Sequence, residues 1–327
     1  MSKKRVLSGM RPTGPLHLGN LHGALANWAN MQEEYDCFFF IADWHALTTD
    51  YENTEQVHEN IREMMIDWLS AGLSPDKCTM FVQSHIKEHA ELFLLLSMIT
   101  PVPWLERNPT YKDQMVQLES RDLSTFGFLG YPVLQAADII IYQAYGVPVG
   151  VDQVPHVEIT REIARRFNYL YGEVFPEPQA ILTETSKILG LDRRKMSKSY
   201  DNAIYMSDPS EVVREKVMRM VTDPNRQRKS DPGDPDVCNV FTFHKLYSTR
   251  EVVDRVNGEC RNASIGCVEC KKVMAESLVK GMGPIREKRR EFEEDRDRVD
   301  HLIAVGDEKA RGVARTTMEQ VRQVMKI

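Results

Sequence analysis

Residues 37–43 read CFFFIAD, six apolar residues in a row closed by a carboxylate. A strand with one wet face alternates polar and apolar residues. An unbroken run is the pattern of a strand covered on both faces, and such strands belong to parallel sheets enclosed by helices. Three further segments suit the same sheet: RVLSG (5–9), CTMFVQ (78–83) and VPVG (147–150). Between them, apolar residues recur at spacings of three and four. Leu18, Leu21, Leu25 and Trp28 mark a helix over 17–35; Val57, Ile61, Met64, Met65, Trp68 and Leu69 mark another over 54–73. Segments 131–146, stopped by Gly146, and 151–168 read as two more helices. Strand and helix alternating in this way predict an α/β fold with a doubly wound parallel sheet.

Beyond residue 203 the strand signals stop. SDPSEVVREKVMRMV (207–221) has Asp208 in the N-cap place, Pro209 at N1 and Glu211 at N3, which reads as a capping box. PDVCNVFTFHKLYS, VECKKVMAESLVKGM and GPIREKRREFEEDRDRVDHLIAVG are helical too, and the matched opposite charges of the last predict a solvated helix. The expected organisation is an α/β domain over 1–203 and a smaller all-α domain over 204–327. QRKSDPGDPD (227–236) serves as a turn-rich connector, and the last helix is free to pack back on the first domain.

Hydrophobic residues make up 42% of the 327, enough for a substantial core, and the net charge is −6. No overall basic field draws nucleic acid, so DNA is not an expected partner and any RNA contact must be local. The start, MSKKRVLSGM, lacks the apolar stretch of a signal peptide, and CFFFIA and LFLLLSMI (92–99) are far too short to span a bilayer. A cytoplasmic protein with no membrane partner is expected.

The first strand runs into SGMRPTGPLHLGN (8–20), with glycines at 9, 14 and 19. It is neither G-x-G-x-x-G nor a P-loop. Strand, glycine-rich turn and helix N-terminus is nonetheless a layout suited to phosphate, because free N–H groups and the positive dipole end face the ligand. His17, in the helix's first turn, can bond an oxygen there, and Gly19 allows a flat ring close to the backbone. The same spacing also suits a plain capping turn with a solvent-facing histidine.

A second polar segment, RRKMSKSYDN (193–202), places Lys195 and Lys198 between two turns. HLGN (17–20) and KMSKS (195–199), in this order, resemble the two signature motifs of the class I aminoacyl-tRNA synthetases; Asn20 stands where the namesake motif has His, as in the tryptophanyl and tyrosyl branch. YPVLQAADIIIYQAYGVPVGVDQVPHVEITREIARRFN (131–168) resembles the tryptophanyl-tRNA synthetases along its length. That resemblance, which covers roughly residues 4–326, implies a Rossmann-type catalytic domain and a helical anticodon-binding domain. It implies formation of tryptophanyl-adenylate from tryptophan and ATP with Mg²⁺, then transfer to tRNA(Trp). It implies a homodimer whose interface lies in an insertion around 88–135. Lys195, Lys198, His17 and Asn20 become the catalytic candidates, and Arg11, Thr13, Gly19, Asn20, Met196, Ser197 and Asp152 the ATP-binding candidates. Ser199 can add a hydrogen bond to the same loop. Asp138 is implied as acceptor for the indole N–H, with Tyr131 and Gln153 at the α-amino group. A carboxylate is a natural acceptor for the one polar atom of indole, but it also accepts from a phenol, so a tyrosyl enzyme remains an alternative, as does a non-catalytic paralogue that binds tRNA or tryptophan. Asp43 and His45, after the second strand, fall at the carboxyl edge where doubly wound sheets bind ligands.

Six cysteines remain. Cys37 and Cys78 lie in strand-like runs and read as inert core thiols. Cys238, Cys260, Cys267 and Cys270 follow C-x21-C-x6-C-x2-C, a spacing suited to a four-sulfur [4Fe–4S] or structural Zn²⁺ site. The spacing does not choose between them; resemblance to a bacterial tryptophanyl branch with nearly this pattern implies the iron–sulfur cluster. For RNA, the local candidates are the basic stretch 219–230, Arg261, Lys271 and Lys272.

Overall fold

The structure is a computed structural model that describes residues 3–108, 123–183 and 188–327, the side chain of Asp152 excepted. Among the described residues five strands form one parallel sheet in the order β3-β2-β1-β4-β5. They are β1 (Arg5–Met10), β2 (Asp36–Ile41), β3 (Cys78–Val82), β4 (Gly146–Val149) and β5 (Gln179–Leu182). The period of two sorts the side chains onto two cores. Val6, Cys37, Phe39 and Ile41 face one side with Trp28 and Trp68, while Leu7, Phe38, Phe40 and Phe81 face the other with Tyr142 and Phe167. This explains the unbroken apolar run: both faces of β2 are covered. Cys37 and Cys78 are register partners inside the sheet, and burial pushes both thiols up to about 12, so they are inert.

The longer helices of the first half are α1 (Ala26–Glu34), α2 (Val57–Ser70), α3 (Glu88–Ser97), α4 (Phe126–Ile141) and α5 (Val154–Tyr171). Then follow α6 (Ser210–Arg219), α7 (Asn239–Tyr247), α8 (Arg250–Arg261), α9 (Cys267–Gly281), α10 (Gly283–Glu294) and α11 (Arg296–Met325). Several expectations are corrected. The helix expected to stop at Gly146 ends at Ile141, and Gly146 instead opens β4, paired with Val6 and Gln179. β5 carries only the three-residue apolar run Ala180–Leu182 and is half-exposed, so the sequence reading passes over it. Asp208 is not an N-cap: its carboxylate accepts the Tyr205 N–H and the Lys216 ammonium, and Pro209 takes the cap position. The segment expected as one helix over 283–306 breaks at Asp295, whose side chain caps α11 by accepting from Arg298 N–H. Nor is that segment wholly solvated, since Arg289, Phe292, Val299 and Ile303 are buried in it.

The core does not pause where the architecture changes. The cluster containing Val6 and Phe39 continues into Val240, Phe243, Met274 and Leu278 of the C-terminal helices. Helix α11 then returns to cover β3. The approach is close: a Cβ at Gly306 would lie 1.7 Å from the carbonyl oxygen of Met80. Next to it, buried Asp307 accepts the Val82 N–H at 2.9 Å and meets His85 Nδ1 at 2.6 Å, which occupies the edge of the sheet. Gly306→Ala has no room without backbone displacement and is expected to destabilise by roughly 1–3 kcal/mol or more. Gly312→Ala on the same helix meets nothing within 4 Å among the described residues and should stabilise by up to ~1 kcal/mol through helix propensity. Chemical denaturation of both variants checks the opposite signs.

Candidate active site

In the order β3-β2-β1-β4-β5 the direction of winding reverses between β1 and β4. Ligands of such sheets bind beyond the carboxyl ends of the strands at that switch point. A cavity of about 390 Å³ lies there, lined by the ends of β1, β2 and β4 and by α4. Its polar lining includes Arg11, His45, Tyr131, Asp138, Gln153 and His156.

Asp138 is fully buried. Gln83 Nε2 lies 2.9 Å from both its oxygens, His89 Nδ1 2.6 Å from Oδ1, and His45 Nε2 2.7 Å from Oδ2. Behind it, His89 Nε2 meets the Tyr142 hydroxyl at 2.7 Å. Burial opposes the charge, yet the hydrogen bonds from His45 and His89 hold the carboxyl below its ordinary range, so Asp138 is an anion. A carboxylate held from three sides in this way has a fixed orientation. Tyr131 Oη lies 3.0 Å from His156 Nε2, and His156 Nδ1 lies 3.0 Å from Gln153 Oε1. Burial raises the Tyr131 hydroxyl, so it stays protonated. His45 is thus a cavity residue, whereas Asp43 is a structural one whose Oδ1 accepts the Ser84 N–H.

The two signature segments meet beside this cavity. His17 is the N-cap of the helix that begins at Leu18, not a first-turn residue as expected. Its Nδ1 accepts from Asn20 N–H at 3.2 Å, and Asn20 Oδ1 accepts from His17 N–H at 3.0 Å. This reciprocal cap occupies the Asn20 oxygen and fixes the His17 tautomer with the proton on Nε2. Burial, and the Lys195 charge after it, lower the His17 pKa, so the ring offers a neutral N–H donor. A Cβ at Gly19 would lie 3.0 Å from that ring.

Residues just after KMSKS pair with this turn. Leu18 N–H donates to Ile204 O and Met206 N–H to Leu16 O, both at 2.9 Å, around a bridge between His17 and Tyr205. Gly14 has φ +133°, which favours glycine, and a Cβ there would lie 2.8 Å from Lys198 Nζ. The ammonium of one motif therefore rests against the turn of the other. Lys195 and Lys198 are exposed, and Ser197 Oγ lies 2.9 Å from Ser199 Oγ. Met196 is only 3% exposed and packs into the core, so its side chain anchors the loop. Thr13, like Arg11, is exposed at the rim, and Thr13 shares a second hollow with Lys198. The Asp152 side chain lies outside the described residues, as does 109–122 of the segment expected to form a dimer interface.

Sequence reasoning missed the residues that hold these groups. Asn202 is buried and spans the signature loop: Nδ2 donates to Asp192 Oδ1 at 2.7 Å and Lys195 O at 3.1 Å, while Oδ1 accepts Ser197 N–H at 2.8 Å. Asp192, despite desolvation, is lowered to about 2 by its bonds from Asn202 and Arg194. The available signal was an amide directly before the apolar run AIYM. His89, Gln83 and His156 were passed over as well; a histidine next to LFLLL (92–96) was the hint for His89.

The four late cysteines sit at the starts and ends of helices. Cys238 precedes α7, Cys260 is near the end of α8, and Cys267 and Cys270 open α9. Burial first, then the charges of the other three thiols, raise Cys270 to about 12. Arg226 Nη1 lies 3.9 Å from Cys260 Sγ and 3.8 Å from Cys267 Sγ. Cys260 and Cys267 thus share Arg226 as a neighbour, and the donor set the sequence offers is all thiol. Among the described residues, however, no group of three or more His, Cys, Asp or Glu is arranged to hold a metal ion. Several cations expected to meet RNA are engaged internally: Arg226 with Lys229 O and Ile265 O, Arg261 with Asp236, and Lys271 with Met218 O. Arg228, Lys229 and Lys272 remain exposed. No described helix is long and apolar enough to cross a membrane.

A family model described as class I tRNA synthetases (W and Y) matches residues 2–282. The tryptophan–tRNA ligase of Thermotoga maritima is 53% identical over 325 residues, covering 99% of each chain. That of Aquifex aeolicus is 47% identical over 393 aligned residues, covering 99% of this chain and 100% of the other. The crystal structure of tryptophanyl-tRNA synthetase from Campylobacter jejuni, complexed with ADP and tryptophan, superposes with a TM-score of 0.92 at 33% identity, covering 99% of this chain and 100% of that one. The chain belongs to the class I tRNA synthetases of the tryptophan and tyrosine family, and within it to the tryptophan–tRNA ligases.

Proposed function

We propose that the protein joins tryptophan to ATP as tryptophanyl-adenylate, releasing pyrophosphate, and then transfers the tryptophanyl group to the 3′-terminal adenosine of tRNA(Trp). The observation that carries this reading is the buried, three-sided anchoring of the Asp138 anion in a cavity beside the joined signature segments. Asp138 accepts the indole N–H. Tyr131 and Gln153, ordered by His156, take the α-ammonium. The substrate carboxylate attacks the α-phosphorus of Mg²⁺-bound ATP, and the bond to the β-phosphate breaks. His17 Nε2–H, Arg11, Thr13, Ser197 and the backbone at Gly19 and Met196 hold the triphosphate, with Asn20 locking the turn and Asp152 on the adenosine side. Lys195 and Lys198 meet the charge that develops on pyrophosphate. Amino-acid-dependent ATP–pyrophosphate exchange against all twenty amino acids tests this: tryptophan alone should support it. Exchange with tyrosine would reassign the partner of Asp138.

Residues 204–327 serve as the anticodon-binding part in this reading, with exposed Arg228, Lys229 and Lys272 as RNA contacts. Leu94, Met98, Val102 and Phe126 are each at least half exposed, which supports a homodimer through the 88–135 segment. The all-thiol donor set fits a [4Fe–4S] cluster on Cys238, Cys260, Cys267 and Cys270, with structural Zn²⁺ as the alternative. Either would cross-link the ends of α7, α8 and α9. Anaerobically purified protein should be brown and hold about four irons per chain. Colourless protein with one zinc selects the alternative, and metal-free, fully folded protein contradicts both.

A further inference from the structure

Helix α2 presents Glu59, Glu63 and Asp67, four residues apart, and Arg62 beside them, to the C-terminal helices. The outer end of this seam is exposed: Arg62 pairs with Asp300 and Arg296 with Glu59, each at 2.7 Å. The inner end is not. Asp67 is 1% exposed and Arg289, on α10, is 4% exposed. Arg289 Nη1 donates to Asp67 Oδ1, and Nη2 donates to Glu63 and to Glu293. Burial works against the Arg289 charge, but the Asp67 carboxylate beside it holds its pKa above the ordinary range.

The second oxygen of Asp67 leaves the seam. Asp67 Oδ2 accepts the backbone N–H of Leu16 at 3.2 Å. Leu16 immediately precedes His17, and its carbonyl accepts the Met206 N–H that follows the KMSKS loop. One carboxylate thus joins a sheet-side helix, an arginine of the C-terminal half and the backbone of the turn that begins HLGN. A buried ion pair seldom adds net stability over apolar residues of like size, and its best-attested use is to fix register. Among the described residues Arg289 Nε has no hydrogen-bond partner, so the guanidinium is placed for its carboxylates at the expense of its own satisfaction.

We propose that Asp67 and Arg289 are positioning residues for ATP, holding the Leu16–His17 backbone in register and coupling helix α10 to the ATP turn. This rests on the reading of residues 17–20 as that turn. Steady-state pyrophosphate exchange with the full chain tests it. Arg289→Met and Asp67→Asn should each raise KM for ATP about tenfold while KM for tryptophan stays within about twofold. Arg289→Lys should recover most of the loss, and the double variant Asp67→Asn/Arg289→Met should be no worse than the weaker single one, because both act through one contact. If Arg289→Met lowers Tm but leaves KM for ATP within twofold, the pair is structural only and the proposal is overturned. Should Arg289→Met or Asp67→Asn fail to fold, the double variant Asp67→Asn/Arg289→Met carries the same KM comparison, with KM for ATP raised while KM for tryptophan stays within about twofold. His17→Ala is the control. If it too leaves KM for ATP unchanged, the reading of the turn fails; if it raises that KM while the Asp67 and Arg289 variants do not, only this inference fails.

Discussion

Lys195→Ala and Lys198→Ala should each slow tryptophan-dependent pyrophosphate exchange by about 10²–10³, or about 2.7–4 kcal/mol of transition-state stabilisation. Tryptophan affinity, read by equilibrium dialysis, should stay within about twofold. The asymmetry follows from where the lysines are. Both lie on the exposed signature loop, outside the cavity that Asp138 lines, and Lys198 Nζ rests beside Gly14. Two negative reactants meet in activation, and charge accumulates on the departing pyrophosphate only as the bond breaks. Cations there act on the transition state more than on bound amino acid. Asn202 and the core-packed Met196 keep the loop base in place when a lysine is truncated. Equal losses in exchange and in tryptophan binding would overturn the leaving-group role.

Asp138→Asn should lower kcat/KM for tryptophan by about 10³, with KM for ATP within about threefold. The substitution keeps volume and one oxygen but removes the anion. His45, Gln83 and His89 all converge on the carboxylate, so the amide must turn its NH₂ toward a donor on one side. Leaving a buried donor unpaired costs about 1–3 kcal/mol, so some loss of stability accompanies the loss of recognition. A drop that falls equally on ATP and tryptophan would show that Asp138 supports the fold of the whole site and does not choose the substrate.

The sheet was legible because its chemistry is local. β1, β2, β3 and β4 announce themselves by apolar runs, and α2 by six apolar residues on one face. β5, a half-exposed edge segment, leaves only the short run Ala180–Leu182. The break at Asp295 was hidden because charge pairing continues across it, although an aspartate three residues before Arg298 is a capping signal in hindsight. The two signature segments were legible for a different reason: HLGN and KMSKS are short local patterns, and the fold brings them together. Their supports were not. Asn202 joins residues of its own loop, but His89, Gln83 and Asp67 act on partners far along the chain. Only the folded structure shows that Leu16 N–H and Arg289 share one carboxylate.

The most direct measurement compares tryptophan with its benzothiophene analogue, in which sulfur replaces the indole N–H, as substrates for pyrophosphate exchange by the unaltered enzyme and by Asp138→Asn. A site built around that N–H should prefer tryptophan by about 10³ or more, since the analogue sets sulfur in place of the substrate's donor against a buried anion whose other donors, His45, Gln83 and His89, are fixed. The variant, which lacks the anion, should prefer tryptophan by less than about tenfold. An unchanged preference in the variant would contradict Asp138 as the residue that reads the indole.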